Sequence, residues 1–329
     1  MAESFDICAV GNAIVDVLAP CEPEFLAAEG LVPGSMTLID DARAEQLYAR
    51  MKPGLEASGG SAGNTVAGAA SLGGACAYIG RVADDQLGGV FRHDMTAQGV
   101  VFRNPPLQGP ATGRSLINVT PDGQRTMSTC LGAANQLGPE DIEADLVEAS
   151  SILYLEGYLF DPPPARAALE RAAQIARAAG RKVAVTLSDT FVVDRWREPL
   201  LDFIGRSVDI VLANEGELAA LVQDDDFDRG LRVLAEKVEV AAVTRSEKGS
   251  VIVRGDELAA IPAVFVAEVV DTTGAGDQYA AGFLLGLARG YSLETCGRLG
   301  SLAAAEVISH WGPRPLVSLK DEAAKAGLL

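Results

Sequence analysis

Val270-Asp-Thr-Thr-Gly-Ala-Gly-Asp277, followed by Gln278-Tyr-Ala-Ala-Gly-Phe-Leu-Leu-Gly-Leu-Ala-Arg289, is the stretch from which the rest of the chain can be read. The hydrophobic run 263–270 reads as a buried strand and the run after Asp277 as a buried helix. Between them lie two glycines and two threonines bracketed by Asp271 and Asp277. A Gly-rich turn that opens a helix directs free backbone N–H groups, and the positive end of the helix dipole, at whatever lies above it. The N–H groups of Gly274, Ala275 and Gly276 thus form an anion cradle. Asp277, in the first helical turn, stands where it can take a proton from a group attacking that anion. Oxyanion stabilisation and a general base are the minimum that phosphoryl transfer to an alcohol requires. Glycine before a helix and Asp in its first turn also occur as plain capping.

At 329 residues and 48% hydrophobic, the chain is long enough for one large α/β domain. Its net charge of −18 argues against a nucleic-acid partner, which demands a basic face. An anionic nucleotide must be held by local Arg, Lys and N–H groups against that field. The five cysteines are scattered and lack CxxC spacing, as expected of reduced thiols in a cytosolic protein. His93 and His310 are the only histidines, which disfavours His-based metal sites and catalytic triads. The acidic start, residues 1–6, is unlike a signal peptide, and no apolar run suffices to span a bilayer. A cytoplasmic protein without membrane partners is expected.

Along the chain, a strand over 5–11 enters Gly11-Asn-Ala-Ile-Val-Asp16, and short apolar stretches at 15–18 and 35–39 suggest an excursion from the main sheet. Gly59-Gly-Ser-Ala-Gly-Asn64 leads into a small-residue helix reaching residue 72. A strand over 75–80 and a helix over 86–98 follow. Residues 113–130 read as two strands around a Pro121-Asp-Gly123 turn. From about residue 149 the rhythm is regular: strands at 152–155, 182–187, 208–213, 240–244, 250–254 and 263–270, helices at 165–179, 215–222, 228–236, 275–289 and 293–309. That alternation implies a mostly parallel sheet covered on both faces, with ligands at the carboxyl ends of its strands.

The Asp271–Asp277 turn resembles the C-terminal signature D-T-x-G-A-G-D of the PfkB (ribokinase-like) family of sugar and nucleoside kinases, and Gly59-Gly60 through Asn64 resembles that family's N-terminal G-G-x-x-x-N. The resemblance spans roughly residues 5–313. It implies a ribokinase-like three-layer α/β fold, one domain over 1–329, with a small β-sheet lid built from two insertions, approximately 15–40 and 101–131. It also implies an ATP-dependent kinase using Mg²⁺, with Asp277 as the base.

Further roles follow from the same resemblance. Gly59, Gly60 and Asn64 would meet the substrate, and Asn12 and Asp16, beyond the first strand, would grip ribose-type hydroxyls; Asp16 is otherwise a turn cap. Asn214 and Glu217 match an N-x-x-E element that orders water around Mg²⁺, although Asn-x-x-Glu is also a capping box. Residues 243–250 resemble the T-x-G-x-x-G nucleotide loop: Thr244 and Gly249 match, Ser246 replaces the first glycine, and Arg245 and Lys248 offset the acidic field. Asp271 and the Thr273 carbonyl match positions that hold K⁺ in several members. His310 falls on the adenine side or is structural. Arg125 on the hairpin, ahead of Arg114, would reach the transferring phosphoryl group when the lid closes.

The helix N-terminus leads us to expect a low pKa for Asp277. The stretch from Gly11 to Asp16, the Arg-bearing hairpin and Leu131-Gly-Ala-Ala-Asn135 look most like the adenosine kinase branch, with Met36, Leu38, Tyr158 and Phe160 as base-contacting candidates. The alternatives are a kinase for ribose, fructose or 2-keto-3-deoxygluconate, or for guanosine or inosine; in a different class stands a non-catalytic nucleotide sensor. No G-x-G-x-x-G follows the first strand and no Walker A motif occurs, which disfavours a dehydrogenase and excludes a P-loop kinase. A monomer and a homodimer both fit.

Overall fold

The protein is described by a computed structural model covering residues 4–329. Met1, Ala2 and Glu3, part of the acidic start, lie outside the described residues.

Nine strands form the large sheet, in the spatial order β14 (Glu257–Ile261), β13 (Ser250–Arg254), β12 (Val240–Thr244), β11 (Ile210–Asn214), β10 (Lys182–Thr186), β9 (Ser150–Glu156), β1 (Phe5–Val10), β5 (Cys76–Ile79) and β6 (Val101–Phe102). The pairs from β6 to β12 are parallel, and β13 and β14 are added antiparallel. Successive side chains on these strands point to opposite faces. Leu153, Leu155, Val183, Val185, Val211 and Val243 enter one core, together with α5 (Ala144–Glu148), α6 (Pro163–Ala178), α7 (Thr190–Ser207), α8 (Glu215–Val222) and α9 (Phe227–Ala235). Ile152, Tyr154, Ala184, Leu212 and Ala242 enter the other, against α3 (Ser61–Ser71), α4 (Gln86–Ala97), α10 (Ala275–Ala288), α11 (Leu293–Val307) and α12 (Leu319–Lys325). This three-layer ribokinase-like arrangement sets the parallel strand ends, and the loops after them, on one edge.

A second sheet of five strands, β3 (Met36–Leu38), β8 (Arg125–Gly132), β7 (Thr112–Val119), β2 (Ile14–Pro20) and β4 (Leu55–Ser58), stands over that edge. The hairpin read from the Pro121-Asp-Gly123 turn is β7–β8, paired Val119 to Arg125. The alternation of β2 sends Val17 outward, to pack with Ala44 and Leu47 of α2 (Asp41–Tyr48) and with Phe25 of α1 (Pro23–Glu29), and sends Asp16 inward.

Two readings of the sequence are corrected. Residues 263–270 are not a buried strand: they form no ladder, and Phe265 is 88% exposed. The run begins after Pro262, which has no N–H to donate, and β14 already occupies the sheet edge, so the apolar side chains flank the cleft instead. The interval 190–207, left without an element, is helix α7; a kink at Trp196 and an internal Pro199 broke its helical period.

Candidate active site

A cleft of about 930 Å³ lies between the strand ends of the large sheet and the inner face of the second sheet. Its floor is built by the N-termini of α3 and α10. Gly274 opens α10 at φ +79°, a left-handed conformation, and a Cβ there would come within 2.6 Å of the Pro313 carbonyl oxygen. Gly274, Ala275, Gly276 and Asp277 all line the cleft. The N–H of Ala275 turns back to the Thr272 carbonyl at 3.3 Å.

Both carboxylate oxygens of Asp277 are held from α3. Ser61 Oγ donates to Oδ1 at 2.7 Å and Asn64 Nδ2 donates to Oδ2 at 3.0 Å. The expectation of a low pKa fails. Desolvation among protein atoms raises the Asp277 carboxyl above the ordinary aspartate range, outweighing those two hydrogen bonds and the nearby Arg125 and Arg314. So raised, the carboxylate is a stronger base than an exposed one.

Beside Asp277 lie the residues expected to meet an acceptor. Asp16 is buried and receives no hydrogen bond from the described residues, so its carboxylate oxygens are uncommitted. Desolvation, reinforced by the Asp277 charge, pushes it to about 7. Gly59 lies so close that a Cβ there would fall 2.2 Å from the Asp16 carboxyl, so only glycine fits. Asn12 donates through Nδ2 to Glu156 at 2.7 Å, while its own Oδ1 is buried without a partner. Gly60 caps α3, and with Asn12, Asp16 and Asn64 it lines the cleft.

Glu156, at the end of β9, escaped the sequence reading. It is 1% exposed and also accepts from the N–H groups of Asn12 at 3.3 Å and Ala62 at 3.0 Å. Burial pushes it to about 7. An acid directly after a buried strand was the available signal. Ser61 was missed although it lies inside the quoted glycine motif. Arg314 carried no local signal at all.

At the far end of the cleft, Asn214 and Glu217 form a reciprocal capping box on α8. The Asn214 N–H and Nδ2 donate to Glu217 at 3.0 and 2.7 Å, and the Glu217 N–H donates to Asn214 Oδ1 at 2.8 Å. Burial pushes Glu217 to about 7, and no cationic side chain pairs with it among the described residues. This acidic oxygen donor facing the cleft suits a divalent cation that keeps most of its own water. The capping and metal readings are thus compatible.

Thr244, Ser246 and Gly249 line the same end. Ser246 sits at φ +51°, the left-handed region that glycine occupies without strain, which accounts for the residue type it replaces. Arg245 is drawn aside: it pairs with Glu215 at 2.8 Å and stacks over Phe227 at 3.8 Å. Lys248 also reaches Glu215. His310 spends its ring on Glu306 and the Trp311 carbonyl and does not line the cleft. Asp271 is fully buried; its Oδ1 accepts from the Thr273 N–H and hydroxyl at 2.9 and 2.6 Å, and its Oδ2 from the Gly312 N–H at 3.1 Å.

Above the floor, Met36, Leu38, Ile117, Met127 and Leu131 present an apolar face to the cleft. Arg125 lies among them and has no ion pair among the described residues. Tyr158 lines the cleft, whereas Phe160 does not: it is 1% exposed and packs edge-on against Phe203 in the core, so it cannot meet a base.

Comparison with known proteins gives concordant matches. The model of the pfkB family carbohydrate kinases matches residues 35–319. A crystal structure of adenosine kinase from Sinorhizobium meliloti is 55% identical, with a TM-score of 0.96 over 98% of this chain and 100% of that one. A structure described as a probable sugar kinase from Rhizobium etli CFN 42 is 52% identical, with a TM-score of 0.97 over 99% of both chains. The adenosine kinase of Saccharomyces cerevisiae is 27% identical over 326 residues, covering 92% of this chain and 95% of the relative.

Proposed function

Because this chain belongs to the pfkB family of carbohydrate kinases, which transfer phosphate to a hydroxyl, we propose that its acceptor is a nucleoside, adenosine first among them. The observation that carries this is the apolar cleft face of Met36, Leu38, Ile117, Met127 and Leu131, which shares the inner side of the second sheet with the uncommitted carboxylate of Asp16. A free sugar offers hydroxyls for Asp16 and Asn12 but nothing flat and apolar to cover that face. A nucleoside offers both. The adenosine kinase at 55% identity supports the same reading, and the probable sugar kinase at 52% supports the alternative of a sugar acceptor.

In this reading Asp16 accepts from the ribose diol, with Asn12 and Asn64 beside it. Asp277, held by Ser61 and Asn64, takes the proton of the primary hydroxyl as that oxygen bonds to the γ-phosphorus of ATP. The N–H groups of Gly274 and Gly276 stabilise the charge on the phosphoryl oxygens, that of Ala275 being turned back to Thr272. Asn214 and Glu217 are the side chains that would hold Mg²⁺ through water. When bound, the ion neutralises phosphate charge. Arg125, carried by the second sheet, approaches the phosphoryl group as that sheet closes as a lid. Asp271 is a fully buried carboxylate with no ion pair among the described residues, which favours K⁺ beside it and the Thr273 carbonyl.

The test is ATP consumption with Mg²⁺, with and without K⁺, against adenosine, guanosine, inosine, cytidine, ribose, fructose and 2-keto-3-deoxygluconate. Turnover with adenosine at far higher kcat/KM than any free sugar is expected. Turnover with a free sugar alone would overturn the nucleoside assignment.

A further inference from the structure

Three successive residues after α11 are tied to the site. Besides the Gly312 bond to Asp271, the Pro313 carbonyl accepts from Gln278 Nε2 at 3.0 Å, and Arg314 Nε donates to Asn64 Oδ1 at 3.3 Å. Gln278 Nε2 also donates to the Asn64 carbonyl at 3.0 Å. Asn64 is therefore gripped at its carbonyl by Gln278, which also holds Pro313, and at its side chain by Arg314.

The grip on the side chain has a chemical consequence. An Asn amide carries an accepting oxygen and a donating NH₂. With a guanidinium on Oδ1, the NH₂ is the group left for the Asp277 carboxylate, as observed at 3.0 Å. Turning the amide over would set oxygen against carboxylate and NH₂ against guanidinium, two repulsive pairs in place of two attractive ones. The remaining guanidinium nitrogens rest near Gln98 Oε1 and Met95 Sδ, at 3.5 and 3.6 Å, and Arg314 makes no ion pair among the described residues. Its charge thus acts on the cleft as a whole.

We propose that Arg314 is a positioning residue for phosphoryl transfer: it fixes the Asn64 amide so that Asp277 is clamped between Asn64 and Ser61, and it brings a fixed positive charge to the acidic end of the cleft. This rests on the assignment of Asp277 as the base. The groups that face Asp277 are Asp16 on β2, Glu156 and the Tyr154 hydroxyl on β9, Arg125 on β8, and Arg314. Arg314 in turn is faced by Asp94, Asp16, Tyr78 and Asp277. Desolvation lowers its guanidinium to about 10, which leaves it charged at neutral pH. Of the two cations near Asp277, Arg125 rides on the second sheet, whereas Arg314 is bonded to the floor.

The experiment is kcat against pH, at saturating ATP and acceptor, for the wild type, Arg314→Gln, Arg314→Lys, Asn64→Ala, the double variant Arg314→Gln/Asn64→Ala, and Asp277→Asn, with a melting curve for each. For Arg314→Gln we expect kcat to fall about tenfold, an interaction lost in the transition state, and the acid limb to move up by about one pH unit, because a cation near a carboxyl is removed. Arg314→Lys should restore the limb but not the full kcat. In the double variant the loss should be less than the product of the two single losses, because Asn64 transmits the effect. An unmoved limb with a lowered melting temperature, or fully multiplicative losses, would show that Arg314 is merely structural. If Arg314→Gln does not fold, Arg314→Lys decides: lowered kcat with an unshifted limb supports the proposal, and wild-type kcat overturns it. Asp277→Asn separates the two readings. An undiminished kcat there removes the base assignment and this proposal together. A collapse there, with no change in the Arg314 variants, removes this proposal alone.

Discussion

The floor and the roof of the cleft are built on opposite principles. On the floor, Asp277 is bonded to Ser61 and Asn64, and Glu156 to Asn12 and the Ala62 N–H, and three of those bonds link helix α3 to elements far away in the chain. On the roof, the second sheet and the 263–270 loop offer mainly apolar side chains, together with the inward carboxylate of Asp16 and the guanidinium of Arg125, which has no ion pair among the described residues. A hydrogen-bonded network specifies one geometry, whereas an apolar face accepts whatever fills it. Under the proposed function, the difference teaches that the chemistry is fixed below and the choice of acceptor is made largely above. Relatives described as an adenosine kinase and as a probable sugar kinase, at 55% and 52% identity, are what such a division allows.

The comparison can be broken most sharply at the floor. Asp277→Asn should lower kcat by roughly 10²–10⁴-fold, the usual scale of general-base catalysis, whatever the acceptor. A small loss in single-turnover measurements would mean that the floor does not carry the proton transfer. Asp16→Ala should act chiefly on binding. KM for a diol-bearing acceptor should rise about 10–100-fold, as hydrogen bonds to a charged group are lost, and a 2′-deoxy acceptor should feel the change far less. Equal effects on both acceptors would make Asp16 a structural residue.

A smaller effect sharpens the roof. Ile117→Ala or Met127→Ala should raise KM for a nucleoside by roughly tenfold, the worth of a few buried carbons. Turnover of any free sugar should stay within about twofold, since no base packs there. Equal losses for both acceptors would erase the distinction between floor and roof.

The last effect is on stability. Asp16, Glu156 and Glu217 each stand at about 7 in the folded protein, while in the unfolded chain such groups titrate near pH 4. Between about pH 4 and pH 7 the folded state therefore binds more protons, and these groups lower stability as pH rises through that window. Glu217→Gln should reduce the drop in melting temperature of the ligand-free protein between about pH 6 and pH 8. A drop as large as in the wild type would show that Glu217 is ionised throughout.

How much of this was legible in the sequence depended on distance along the chain. The turn and helix that open at Gly274, the β7–β8 hairpin and the capping pair Asn214–Glu217 are local devices whose residues identify themselves. The 263–270 run misled because β propensity says nothing about whether a sheet edge is free. Pro199 hid α7, and Asp277 misled because burial, which no local pattern reveals, raises its carboxyl. Glu156 and Arg314 serve groups 144 and 250 residues away; beyond the acid at the end of a buried strand that marks Glu156, their neighbours in sequence carry no trace of the task.

Those separations bear on how the molecule comes to exist. The bonds that clamp Asp277 join residues 216 and 213 apart, and the one that orients Asn64 spans 250. A chain emerging from the ribosome can assemble most of the large sheet while residues 312–314 are still in the exit tunnel. The bond that orients Asn64 must wait for residues 312–314 to emerge, because contacts of such long range form late. A copy cut before residue 312 would then fold much of the scaffold yet lack the Arg314 bond that orients Asn64, so the last adjustment of the floor comes after the scaffold that carries it.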